Sequence, residues 1–232
     1  TDTVFPEPRV VTRGQWTSET LDAYRPLFTD LATSLGQQPA VPTDDVATVD
    51  PFVQMMSGIS RMMAPAMMGM AVGSMVGSLA QRVFGLHDLP IPRDRQEVVL
   101  VGDTIDSFAR EWEIPVDEMR VWVLAHELSG FQIFSIEHLR LALTGLVRTH
   151  VGGFRPDPAS IADKLGSFDP FASDAGSDPM QAFQQVFGDP ELLLGAVRSP
   201  EQIALQPRLD AAVAAVVGYT DWMVDAVAVR VI

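Results

Sequence analysis

The residues with the clearest capacity for chemistry are Trp122-Val123-Leu124-Ala125-His126-Glu127-Leu128-Ser129-Gly130. A His followed by a Glu on a helix is half of a zinc-binding pattern, in which imidazoles at i and i+4 hold the ion and the Glu activates a bound water. The spacing works because i and i+4 stand one turn apart on the same face. Here the i+4 position is Gly130, which has no side chain to offer. The pair also fits a buried, hydrogen-bonded histidine, since His126 shares an apolar stripe with Met119, Trp122 and Val123. The other histidines are His87, His138 and His150. His138 stands past an expected helix break, and nothing in the spacing brings it back to His126.

Composition removes most other chemistry. The 232 residues include 16 basic and 30 acidic side chains, a formal charge of −14. Such a surface repels phosphate backbones and anionic lipid, so neither nucleic acid nor membrane is an expected partner. Without cysteine there are no disulfides, iron–sulfur clusters or thiol nucleophiles. Lys164 is the only lysine, a poor Schiff-base candidate in an acidic, loop-like region. Thr1–Val11 is polar and contains prolines, unlike a secretory signal, and the expected location is cytoplasmic. Met62–Gln81 is uncharged and long enough to span a bilayer. Its Met, Ala, Gly and Ser content and Pro65 favour a buried helix instead.

The elements that must position these residues are almost all helical. Thr17–Leu35 reads as a helical region, kinked or restarted at Pro26. Gln37–Asp50 reads as a linker, and Pro51–Phe84 as a long helix bent at Pro65. Leu89–Pro92 and Val98–Val101 are the short runs with strand character and are expected to form one small β-hairpin. Helices follow over Asp103–Trp112, from Pro115 to Ser129 with Gly130 as terminator, and over Ser135–His150. Residues 154–190 are broken by five prolines and read as a loop-rich region. Ser199-Pro200-Glu201-Gln202 combines an N-cap Ser, Pro at the first helical position and Gln three residues after the cap, a strong start for a helix that can run to Ile232. Gly69, Gly73 and Gly77 form one stripe that predicts close approach of a second helix. The many methionines from Met55 to Met75 are expected as soft core filler.

The stretch DPFVQMMSGISRMMAP from Asp50 to Pro65, continuing through Gly69 and Gly77 to Asp88-Leu89-Pro90-Ile91-Pro92, resembles the actinobacterial zincin-like metallopeptidase type 2 family. Proteins of that family are labelled hydrolases or associated with deazaflavin-coenzyme biosynthesis. VGGFRPDP, Val151 to Pro158, is similar to a second family segment, and Trp122–Glu127 falls where the family has its zinc helix. The resemblance covers roughly residues 50–232. It implies that His126 matches the first zinc ligand, that Glu127 matches the general base, and that Gly130 stands where the second ligand His belongs. A downstream Glu ligand is implied where this chain has Val217-Gly218-Tyr219, so that carboxylate is replaced by Val217. Two of three protein ligands are then missing, and one imidazole does not hold a catalytic zinc.

The expectation is a mainly α, zincin-like helical domain over residues 50–232 with a minor β-hairpin, preceded by a helical segment and linker over 1–49. Its metal site is expected to be degenerate: His126 a vestigial ligand, Glu127 a vestigial base, zinc lost, and no other cofactor. Tyr219 and Arg155 are the cleft residues expected to meet the Glu127 carboxylate. Such a chain would act by binding a protein or peptide, as a homo-oligomer or paired with an intact family member. The competing reading is an active metal-dependent hydrolase with a rearranged site using His126 and Glu127. On the first reading Gly130→His would restore the imidazole pair.

Overall fold

A computed structural model of the chain describes residues 5–36, 69–70, 72–154 and 199–231. The expected linker over 37–50, most of the long segment before Gly69, and all of the expected loop-rich region 154–190 after Phe154, Arg155 included, lie outside the described residues. So does the expected domain boundary at 49/50.

The mainly helical expectation holds. The described elements are β1 (Arg9–Val11), α1 (Arg13–Ala23), α2 (Arg25–Gly36), β2 (Val99–Val101), α3 (Gly102–Glu111), α4 (Val116–Phe134), α5 (Glu137–Gly152) and α6 (Pro200–Val231). They fall into two compact units, one drawn from 1–28, 72–149 and 205–232, the other from 29–71 and 150–204. In the second, Ser34 Oγ donates to the Gly152 carbonyl at 3.1 Å and Gln202 Nε2 to the His150 carbonyl at 2.8 Å. There the expected capping box forms, with Ser199 N–H donating to Gln202 Oε1 and Gln202 N–H to Ser199 Oγ.

The first unit carries the site, and its β element is not the expected hairpin. Leu89–Pro92 forms no strand. β2 instead pairs in parallel with β1, Val10 opposite Leu100 and Val11 opposite Val101. Parallel partners need a long crossover, so this pairing leaves no local turn signal. β2 is buried throughout, and its alternation splits two cores. Val99 and Val101 join Val11, Trp16, Val76, Val83 and Leu86, whereas Val98 and Leu100 join Ile105, Ala109, Met119, Val123 and Phe131. Trp16, with no exposed surface, donates its indole N–H to the Gly85 carbonyl at 2.8 Å. The N-terminal segment is thus tied to the loop that faces α4.

Other expectations need correction. Residues 72–79 are helical with Val76 buried, but Met70 and Met75 are exposed, so these two methionines are not core filler. Among the described residues, no atom lies within 4 Å of a Cβ built on Gly69, Gly73 or Gly77, so no tight helix contact forms there. α4 continues four residues past Gly130 to Phe134, because Phe131, Ile133 and Phe134 keep its buried face apolar. α6 keeps Ile203, Val217, Tyr219, Trp222 and Val229 exposed. By length and composition its Pro200–Arg230 stretch could cross a membrane, its most apolar 18 residues having a mean hydropathy of 1.4.

Candidate functional site

α4 and the loop 84–88 bring together two histidine–carboxylate pairs. The loop is fixed by Asp88, whose Oδ2 accepts from the backbone N–H groups of Phe84 and, at 2.9 Å, Gly85. It is also sewn to β2, since Val101 N–H donates to the Phe84 carbonyl at 2.7 Å. Held this way, the loop presents His87 and Asp88 to adjacent residues of one helix turn.

Glu127 is fully buried. Its Oε1 accepts from the His87 backbone N–H at 2.8 Å, and its Oε2 lies 2.9 Å from His87 Nδ1. One proton shared between Nδ1 and Oε2 makes that contact a hydrogen bond, with Nδ1 the donor wherever the carboxylate is ionised. A buried carboxylate without partners would be costly, and both oxygens are satisfied here by one residue. Two glycines make room. A Cβ at Gly85 would overlap the Glu127 carboxyl carbon and stand 2.6 Å from the Val99 carbonyl. A Cβ at Gly130 would overlap the Cβ of His87 and stand 2.9 Å from its Cδ2. Position 130 is therefore occupied in space, by a side chain from another segment. His87 also stacks on Phe134, with ring centroids 5.9 Å apart.

His126 faces the other way. Its Nδ1 lies 3.8 Å from Asp88 Oδ1, and its ring stacks on Trp122 at 5.6 Å between centroids. It is partly exposed, and Trp122 is 37% exposed, so this end of the apolar stripe reaches solvent. Burial raises the Asp88 pKa, opposed by the N–H groups of Gly85 and Phe84; the nearby Glu127 raises it further and His126 lowers it.

Of the two expected cleft partners, Arg155 lies outside the described residues and Tyr219 is not found at Glu127. Tyr219 is 41% exposed and packs on Trp222 at 5.8 Å; Val217 is 42% exposed. Among the described residues no hydrogen bond, ion pair or ring contact joins Tyr219 to His126 or Glu127. Sequence reasoning missed His87, Asp88 and Gly85. His87-Asp88 does precede Leu89-Pro90 within the family-like segment, but His87 stands far from His126 in the chain, and only the fold joins them.

The chain belongs to the zincin-like metallopeptidase family, whose sequence model matches residues 2–232. The match includes residues 2–49, which the sequence resemblance left unplaced. No curated protein and no solved structure matches the chain. Zinc in a catalytic site takes three protein ligands and a water. The donor set here does not fit that demand. Glu127 is spent on His87, Gly130 has neither a side chain nor space for one, and Val217 has no donor atom. Among the described residues no group of three His, Asp or Glu side chains is placed to hold a metal ion.

Proposed function

We propose that this chain is a zincin-like metallopeptidase homologue, of the actinobacterial type 2 branch, that no longer hydrolyses peptides and works by binding. The observation that carries this reading is the state of Glu127. A general base must reach the proton it removes, directly or through one water. A carboxylate with no exposed surface and both oxygens held by His87 does not. On this reading His126 is a vestigial ligand and Glu127 has become a structural acceptor that fixes loop 84–88 to α4. The partner is a protein or peptide, either a second copy or an intact family member, met in the cytoplasm.

The competing reading is an active hydrolase using His126 and Glu127, either at a rearranged metal site or in metal-free acid–base work; the partial exposure of His126, with Asp88 behind it, is what favours it. Hydrolysis assays with a peptide mixture, with and without chelator, test both readings. The proposal expects no turnover above buffer. Chelator-sensitive turnover that Glu127→Gln abolishes would overturn it, and chelator-insensitive turnover lost in His126→Ala would establish the competing reading.

A further inference from the structure

Beside the histidine–carboxylate cluster lies a cavity of about 210 Å³, including its solvent-open mouth. Its polar walls are His87, Arg93, Arg95 and Gln96, and Phe134 and Ile91 supply apolar surface. Two buried side-chain atoms of these residues have no hydrogen-bond partner: the Arg93 Nε donor and the Gln96 Oε1 acceptor. Both side chains are otherwise fixed. Arg93 Nη2 donates to Thr20 Oγ1 at 2.9 Å, and its guanidinium carbon stands 4.8 Å from the Tyr24 ring centroid and 5.9 Å from that of Trp16. Gln96 Nε2 donates to the Arg93 carbonyl at 2.9 Å, which fixes the amide so that its oxygen is the free atom.

Charge sharpens the picture. In a chain of net charge −14, no carboxylate pairs with Arg93 or Arg95 among the described residues. A partly buried guanidinium without a counter-anion is unusual, because buried charge is normally paired and buried donors and acceptors are normally satisfied. A ligand that satisfies this cavity accepts from Arg93 Nε, carries negative charge toward two arginines, and donates to Gln96 Oε1. A bare inorganic anion meets the first two demands and opposes the third, and a water meets the first and third but brings no charge. A terminal α-carboxylate with its own amide N–H meets all three. The enclosed end of the cavity is on the scale of a single water, so at most one oxygen of a carboxylate enters it and the rest of the ligand lies in the open mouth.

We infer that this cavity binds the α-carboxylate and adjoining N–H of an N-acylated amino acid, presented as a peptide C-terminus. Arg93 and Arg95 take the carboxylate, and Gln96 takes the N–H. Capture of a terminal carboxylate in a polar recess is a known mode of peptide recognition. The inference does not rest on the loss of hydrolysis, because ligand binding here and turnover at Glu127 are separate measurements.

The test is a titration followed by NMR on the Arg93 Nε–H and the Gln96 side-chain amide. Probes are N-acetylglycine, N-acetylglycinamide, acetate and an acetylated tetrapeptide ending in glycine. N-acetylglycine is expected to shift both signals saturably. The amide, lacking charge, should bind about tenfold more weakly, as loss of a charge-assisted hydrogen bond predicts. Acetate should be weaker than N-acetylglycine in the wild type and equal to it in Gln96→Leu. Arg95→Gln, at an exposed position, should weaken N-acetylglycine without changing the melting temperature. The tetrapeptide should bind at least as tightly as N-acetylglycine; its exclusion would overturn the peptide source and leave a free acylated amino acid. Equal response to acid and amide, or no saturable shift up to roughly 10 mM, a concentration just above the millimolar affinity range, would overturn the site.

Discussion

Replacing Gly130 by Ala should destabilise this protein, although helix propensity alone predicts the reverse. Gly130 lies inside α4, where Gly→Ala is worth about 1 kcal/mol of propensity. Against that gain, the new Cβ overlaps the His87 side chain, and overpacking of this kind costs about 1–3 kcal/mol. Moving His87 aside also loosens its two contacts with Glu127, each worth about 1.5–3 kcal/mol because the acceptor is charged. The net loss is then about 2–4 kcal/mol, a fall in melting temperature of roughly 5–15 °C for a chain of this size. The assay is thermal and urea unfolding of a double-mutant cycle with His87→Gly, which removes the atoms that the new Cβ would meet. In that background Gly130→Ala should stabilise by about 1 kcal/mol. The sign reversal is the signature of direct contact. If Gly130→Ala stabilises the parent, or if the two substitutions are additive, His87 does not fill the space above position 130. The same overlap forbids the simple repair suggested by the sequence: Gly130→His cannot place a second imidazole beside His126 while His87 is present.

Other consequences follow from single contacts. Trp16→Phe removes the indole donor to the buried Gly85 carbonyl and should cost about 1–3 kcal/mol in urea unfolding; a neutral result would mean that this carbonyl finds another partner. Ser199→Ala breaks the capping box at the start of α6 and should cost about 1 kcal/mol, with Ser199→Asp recovering most of it. Asp88 has a folded-state pKa above its ordinary value, so its neutral form is favoured by folding. Its contribution to stability is therefore full below the unfolded value near pH 4 and is lost as pH rises through the raised folded value. Relative to Asp88→Asn, the parent should lose stability as pH climbs from about 4, and a difference that is flat or opposite in sign would remove burial as the dominant influence on Asp88.

How much of this was legible in the sequence depended on the range over which each signal acts. Ser199-Pro200-Glu201-Gln202 announced a helix start because the cap, the proline and the returning glutamine lie within one turn. The break at Pro26 was legible for the same reason, and α2 begins at Arg25 just before it. The pairing of Arg9–Val11 with Val99–Val101 was not, since three residues are too few to display a period and the partner lies far along the chain, beyond α1, α2 and the helical stretch 72–79. Gly130 reads as a helix terminator in the sequence because glycine usually ends helices by adopting positive φ; among the described residues no glycine has positive φ, and this small residue serves a neighbour's side chain. The His126-Glu127 pair was found by spacing, and its partners His87 and Asp88 were missed because the fold alone brings that dipeptide to α4. The family pattern implies Tyr219 as a partner of Glu127, but Glu127 is buried against His87 and Tyr219 makes no contact with it among the described residues.

The central claim is that the residues at the zinc helix now hold each other and not a metal ion. Zinc measured by mass spectrometry in freshly purified protein, prepared without chelator beside a His126→Ala variant, tests it most directly. The account predicts far less than one zinc per chain in both, a family-typical centre being formed by three ligands that are not present together here. One zinc per chain in the parent, lost in His126→Ala, would contradict it.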